Sequence, residues 1–163
     1  MRVLAFDPGF ERLGAAVVER CPPAGGGKDT LLHSECLHTS PKLAFEERLL
    51  LLGKEAESLI KTWQPDMVAI EDVFFENNAK TAMQVAQVCG MLSYIALARM
   101  LPLAHYSPLQ VKVAITGYGK SDKAAIAHMI PRLVTLPVKK RLDDELDAIA
   151  VGLTCLASTR LPS

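Results

Sequence analysis

Arg2-Val3-Leu4-Ala5-Phe6-Asp7-Pro8-Gly9 is an apolar run that closes on a carboxylate and then on two residues that favour a turn. Residues 2 to 7 therefore read as a short buried strand. Leu13 to Val18 reads as a second strand, and Leu31 to Leu37 can return as a third after the loop Cys21-Pro22-Pro23-Ala24-Gly25-Gly26-Gly27-Lys28-Asp29. Helical spacing then takes over from Leu43 to Trp63, where Leu49, Leu52, Ala56, Leu59 and Ile60 recur with Arg48, Lys54, Glu55 and Glu57 between them. Gln64-Pro65-Asp66 breaks that helix. Met67 to Glu71 reads as a buried strand, Asn78 to Met100 as a second long helix stopped by Pro102, and Leu103 to Tyr106 as a fifth strand. Helical stretches follow near Pro108 to Ala114, Asp122 to Val134 and Leu142 to Ala157.

Three consecutive strands followed by alternating helices and strands predict an α/β fold with a five-stranded mixed sheet flanked by helices, antiparallel first and parallel later. That order resembles ribonuclease H-like folds. The same architecture carries sugar kinases and actin-like ATPases, so the site has to decide function. With 163 residues, half of them apolar, the chain reads as one domain over residues 1–163. The net charge is zero, so any surface that attracts nucleic acid must be local. Cys21, Cys36, Cys89 and Cys155 lie far apart without a C-x-x-C pair, which argues against a zinc site and a disulfide framework and fits a reducing cytoplasm. The first apolar run is too short for a signal peptide, and no other stretch reads as spanning a membrane.

Four carboxylates stand out. Asp7 and Glu71 each end a buried strand, which sets both at the carboxyl edge of one sheet, where ligands of α/β folds bind. An isolated Asp-Pro-Gly is as readily a plain turn, and a lone acid after a strand is commonly just the first solvated residue. Two acids ending two adjacent strands are harder to dismiss. Asp144 and Asp147 lie three apart in Asp143-Asp144-Glu145-Leu146-Asp147-Ala148-Ile149-Ala150, which puts both on one helix face. The helix macrodipole accounts for acids in a first turn, but poorly for Asp147 beside a small apolar run. Oxygen ligands in this number suit Mg²⁺, with Mn²⁺ as a substitute, and two ions roughly 3.5–4 Å apart can activate water and stabilise a leaving oxygen of a phosphodiester. Repulsion among clustered carboxylates is a cost that a dication relieves.

Lys112, Lys120, Lys123, Lys139, Lys140 and Arg141 concentrate cations in the same third of the chain as the last acids and can form a phosphate-binding rim, although a lysine cluster is usually a solvated surface. Gly117-Tyr118-Gly119-Lys120-Ser121 lacks the first glycine of a phosphate loop, which would fall on Ala114; Ser121 or Asp122 instead caps the next helix. Phe74 and Phe75 follow the Glu71 strand, and one of two adjacent aromatics is available to stack on a base. The helix from Asn78 to Met100 is apolar nearly all round from Val85 onward, more than one sheet can cover, which suggests a two-fold partner helix with Gly90 and Ser93 allowing close approach, and with Met91 or Ile95 either at the contact or turned into the monomer core.

Phe6-Asp7-Pro8-Gly9, Ile70-Glu71-Asp72-Val73-Phe74 and Asp144-Glu145-Leu146-Asp147-Ala148-Ile149-Ala150 together resemble the RuvC family of bacterial Holliday junction resolvases. Gln64-Pro65-Asp66, Asn78-Ala79, Ala86-Gln87-Val88-Cys89-Gly90, Gln110-Val111-Lys112, Gly117-Tyr118-Gly119 and Lys123 extend the likeness from Met1 to about Leu156. The loop at Gly25-Gly26-Gly27 departs from it in being longer. The resemblance implies Asp7, Glu71, Asp144 and Asp147 as catalytic and metal-binding acids and Phe74 as a group stacking at the junction. Lys112 and Lys123 become contacts to the DNA backbone, with Tyr118 and Lys120 beside them. It also implies a homodimer that nicks opposing strands of a four-way junction and partners the RuvA–RuvB branch-migration complex. A ribonuclease H acting on RNA–DNA hybrids and a junction-binding scaffold without catalysis remain the competing readings.

Overall fold

The computed structural model describes residues 1–22, 27–72 and 79–159. In chain order the elements are β1 Arg2–Asp7, β2 Arg12–Glu19, β3 Asp29–His38, α1 Phe45–Trp63, β4 Met67–Glu71, α2 Ala79–Ala98, β5 Leu103–Tyr106, α3 Pro108–Thr116, α4 Lys123–Leu133, β6 Val134–Thr135 and α5 Asp143–Ser158. The five expected strands are present, and β6 adds a two-residue sixth. The sheet runs β5-β4-β1-β2-β3-β6. β1–β2 and β2–β3 are antiparallel, while β1–β4, β4–β5 and β3–β6 are parallel.

The central strands are buried on both faces, so they read as unbroken apolar runs, and their residues divide between two cores with period two. Leu4, Phe6, Leu13, Ala15, Val17, Val68 and Ile70 pack beneath α1 and α2. Val3, Ala5, Ala16, Val18 and Ala69 pack against α5 and the inward residues of α3 and α4. The helices are set by local chemistry: Ser107 accepts from Gln110 N at the start of α3, with Pro108 at its first position, and Asp122 accepts from Ala125 N at the start of α4.

Helix α5 lies directly on β1 and β2. Gly152 makes this possible from the helix side, since a Cβ there would come within 2.7 Å of Val18 Cγ2. Gly14 does so from the strand side, because a Cβ on it would collide with the backbone carbonyl of Asp144. The turn between β1 and β2 is pinned from α1: buried Arg48 donates to Thr39 Oγ1 at 2.8 Å and lies 4.8 Å over the Phe10 ring, and Thr39 Oγ1 donates to the Phe10 carbonyl.

Two expectations about α2 are corrected. Ile95 is buried against α1, its Cδ1 approaching Gly53, and Met91 also packs on Gly53, so neither leads an uncovered face. That face instead carries Met83, Gly90, Tyr94 and Leu97. Thr81–Ala98 is also long and apolar enough to cross a membrane, contrary to the sequence reading, though its inner face packs on the sheet and α1.

Gly14→Ala should push the first turn of α5 off the hairpin. Overpacking at a site this tight costs about 1–3 kcal/mol. Urea denaturation should show a lower midpoint with an unchanged slope, and parent stability would mean that α5 is not seated on Gly14.

Candidate active site

β1 and β4 are neighbouring parallel strands with Phe6 opposite Ile70, so their last residues, Asp7 and Glu71, emerge together at one edge. The first turns of α5 bring Asp147 to the same place. These three acids line a cavity of about 320 Å³ with Pro108, Val111, Lys112, Lys123 and Ile126. Asp144, one turn earlier, lines an adjoining groove of about 360 Å³ with Gly9, Phe10, Glu11, Arg12, Thr81 and Val85. The four acids are thus neighbours, but they do not share one cavity.

Each acid is neutralised in its own way. Burial pushes the Asp7 carboxyl up to about 7, helped by the charges of Asp147 and Asp144. Burial and the charges of Asp7 and Asp147 push Glu71 up to about 8. Both carboxyls therefore keep a proton well above the ordinary carboxylate range. Asp147 Oδ2 accepts from Lys123 Nζ at 2.8 Å, a bond that raises the ammonium above the ordinary lysine value despite its desolvation. Arg12 Nη1 lies 3.5 Å from Asp144 Oδ2, yet that buried oxygen has no hydrogen-bond partner among the described residues. Burial and Asp144 together push the Cys36 thiol up to about 11.

This donor set fits a hard dication. All four candidates offer oxygen, two are held protonated by burial first and by neighbouring like charges second, and a third has an orphaned oxygen. Among the described residues, no three His, Cys, Asp or Glu side chains converge closely enough to enclose an ion as they stand. The acids therefore need to close in to coordinate one.

The other candidates divide. Lys112 and Lys123 line the main cavity. Tyr118 and Lys120 are exposed on the turn between α3 and α4, where the Tyr118 carbonyl accepts from the Thr116 and Ser121 hydroxyls. Phe74 and Phe75 lie outside the described residues. Lys139 and Arg141 are not free for a phosphate rim, because Lys139 Nζ donates to Glu145 Oε2 and the Ser34 carbonyl, both at 2.8 Å, and Arg141 Nε donates to Ser34 Oγ at 3.1 Å. Arg12 escaped the sequence reading. Its signal was a lone cation opening β2, five residues after Asp7.

The family model for crossover junction endodeoxyribonuclease RuvC matches residues 3–155. The chain belongs to the RuvC family. The RuvC of Thermomicrobium roseum is 39% identical over 94% of this chain and 91% of its own length, and that of Desulforamulus reducens is 38% identical over the same shares. The Thermus thermophilus RuvC structure superposes with a TM-score of 0.84 at 32% identity, covering 94% of this chain and 92% of that one. The same enzyme solved in complex with a Holliday junction substrate gives a TM-score of 0.85 at 31% identity over the same shares. These likenesses place the chain among nuclease hydrolases of ribonuclease H-like fold, in a metal-dependent family.

The raised carboxyl pKa values fix a stability trend for the metal-free protein. Unfolded, Asp7 and Glu71 lose their protons near ordinary carboxylate values; folded, they keep them until about 7 and about 8. The folded state binds more protons in between, so stability should be full below pH 4 for these groups and fall as pH rises towards 8. Thermal melts in chelator across pH 5–9 should show the decline, and Mg²⁺ should flatten it while releasing protons in calorimetry. A metal-free melting temperature that rises through that window would refute the raised carboxyl values.

Proposed function

We propose that this chain is a homodimeric endonuclease that resolves four-way DNA junctions in recombination and repair by hydrolysing phosphodiesters on opposing strands. The observation that carries this reading is the single cavity holding Asp7, Glu71 and Asp147 with Lys112 and Lys123 on its wall, in a chain with a family match over residues 3–155. The Thermus thermophilus relative was solved with a Holliday junction substrate. The same class of DNA is the proposed substrate here.

Asp7, Glu71, Asp144 and Asp147 would hold Mg²⁺, two ions per site, with Mn²⁺ able to replace it. Such ions, when bound, supply an activated water and neutralise the leaving oxygen. The chain's own residues do the rest. Asp7 and Glu71, held protonated by burial, would give up their protons to become ligands. Lys123, exchanged off Asp147, and Lys112 become available to the phosphates flanking the cut, with Tyr118 and Lys120 extending that contact and Phe74 stacking on an opened base. Pro108, Val111 and Ile126 give the cavity a dry wall, which strengthens each charge interaction inside it.

The uncovered face of α2 is the proposed dimer contact. Met83, Tyr94 and Leu97 are exposed along one stripe, and a Cβ at Gly90 would meet nothing within 4 Å, leaving room for a partner helix. Two sites related by a two-fold axis match the symmetry of a junction that needs two cuts. Partnership with the RuvA–RuvB complex and a cytoplasmic setting follow from the same reading.

Incubated with a synthetic four-way junction, matched duplex and RNA–DNA hybrid, the purified protein should cut only the junction, and only with divalent metal. Asp147→Asn should bind the junction normally while losing more activity than the roughly 10- to 100-fold typical of changes outside the ligand shell. Preferential cleavage of the hybrid would favour a ribonuclease H instead, and normal cutting by D147N would remove Asp147 from the site.

Charge placed on the α2 stripe should oppose association without disturbing the monomer core. Tyr94→Glu with Leu97→Glu should sediment as a folded monomer by circular dichroism and produce single nicks rather than resolved duplexes. A wild-type protein that is monomeric on DNA and still makes paired cuts would defeat the dimer proposal.

A further inference from the structure

Glu145 sits between the two α5 acids, one residue after Asp144 and two before Asp147, yet it points the other way. It is 5% exposed, the buried member of a first turn that also contains Asp143 and Asp144. Its Oε2 accepts from Ser34 Oγ at 2.7 Å and from Lys139 Nζ at 2.8 Å, while Oε1 accepts from Leu142 N at 3.4 Å. Lys139 Nζ also donates to the Ser34 carbonyl at 2.8 Å. Arg141 closes the ring, giving Nε to Ser34 Oγ at 3.1 Å and Nη2 to the Pro137 carbonyl at 3.1 Å. One side chain thus ties the start of α5 to the middle of β3 and to the segment entering the helix.

We propose that Glu145, with Ser34 and Lys139, is the positioning set that fixes Asp144 and Asp147 for metal binding. Macrodipole stabilisation does not call for burying a first-turn acid, since exposed Asp143 serves that purpose. Stability does not call for it either: a buried carboxylate is often matched by apolar residues of similar volume, so what these contacts add is a defined geometry. The fixed geometry here is rotation of α5 about its axis. Gly14 sets how closely the first turn approaches β2; a carboxylate held from β3 and from the entering segment sets how that turn is rotated. A roll would swing Asp144 and Asp147 together, because they share a face.

The proposal rests on the metal reading above, and its test separates the two. Mn²⁺ binding to the whole protein, followed by electron paramagnetic resonance of the free ion, reads the site without catalysis. Glu145→Gln and Ser34→Ala should each weaken Mn²⁺ binding roughly 10- to 100-fold. Junction cutting should be recovered as metal is raised, and Lys139→Arg should bind metal better than Lys139→Met. A merely structural clasp would lower the melting temperature and leave Mn²⁺ affinity at the parent value, which would overturn the proposal. If E145Q fails to fold, S34A and K139M carry the same decision. Parent-level Mn²⁺ binding by D147N would overturn the metal reading itself; impaired binding by D147N with parent-level binding by the folded clasp variants would overturn the positioning role alone.

Discussion

The seating of α5 on the β1–β2 hairpin is the contact on which the rest of the molecule depends. A helix normally stands about 10 Å from a sheet because side chains fill the gap. Here Gly152 yields to Val18 and Gly14 yields to the Asp144 carbonyl, so helix and strands meet nearly backbone to backbone. The consequence is positional. Asp7 is fixed by β1 and Glu71 by the parallel pairing of β4 with β1, and only a helix this close can bring Asp147 into their cavity.

What the sequence disclosed and what it hid follow from the range of each interaction. Strand ends are local: an apolar run stopping at Asp7 or Glu71 is visible without knowing the fold, and so is the i, i+3 spacing of Asp144 and Asp147. The division of that last pair between two grooves is not local, because it depends on Arg12 and Thr81, which the topology brings alongside. Lys139 and Arg141 make the same point. Their charge was plain, but their partner Ser34 lies more than a hundred residues away in sequence, and a cation with an unseen acceptor reads as a free one. β6 offers two residues, too few to show any alternation. In α2 the excess of apolar surface was legible, while its direction was not, because Ile95 and Leu97 are equally apolar and differ only in what the fold places against them.

Ion pairs of one kind occur at two depths around α5, and depth decides what each can do. Lys123 on Asp147 and Arg12 on Asp144 hold exposed cations, with side-chain accessibilities of 72% and 57%. Such pairs contribute about 0–1 kcal/mol and are readily surrendered. Glu145 is the deeper case: its side chain is 6% accessible, against 21% for Asp147 and 19% for Asp144, and losing Ser34 or Lys139 would strand a buried charge. On the proposed function, an acid that exchanges a lysine for a metal ion, and a lysine that exchanges an acid for a phosphate, are best joined weakly; the residue between them is best joined so that it does not move. The first two turns of α5 therefore separate holding from exchanging along Asp144, Glu145 and Asp147, aiming Glu145 into β3 and leaving the other two at the mouths of adjoining grooves.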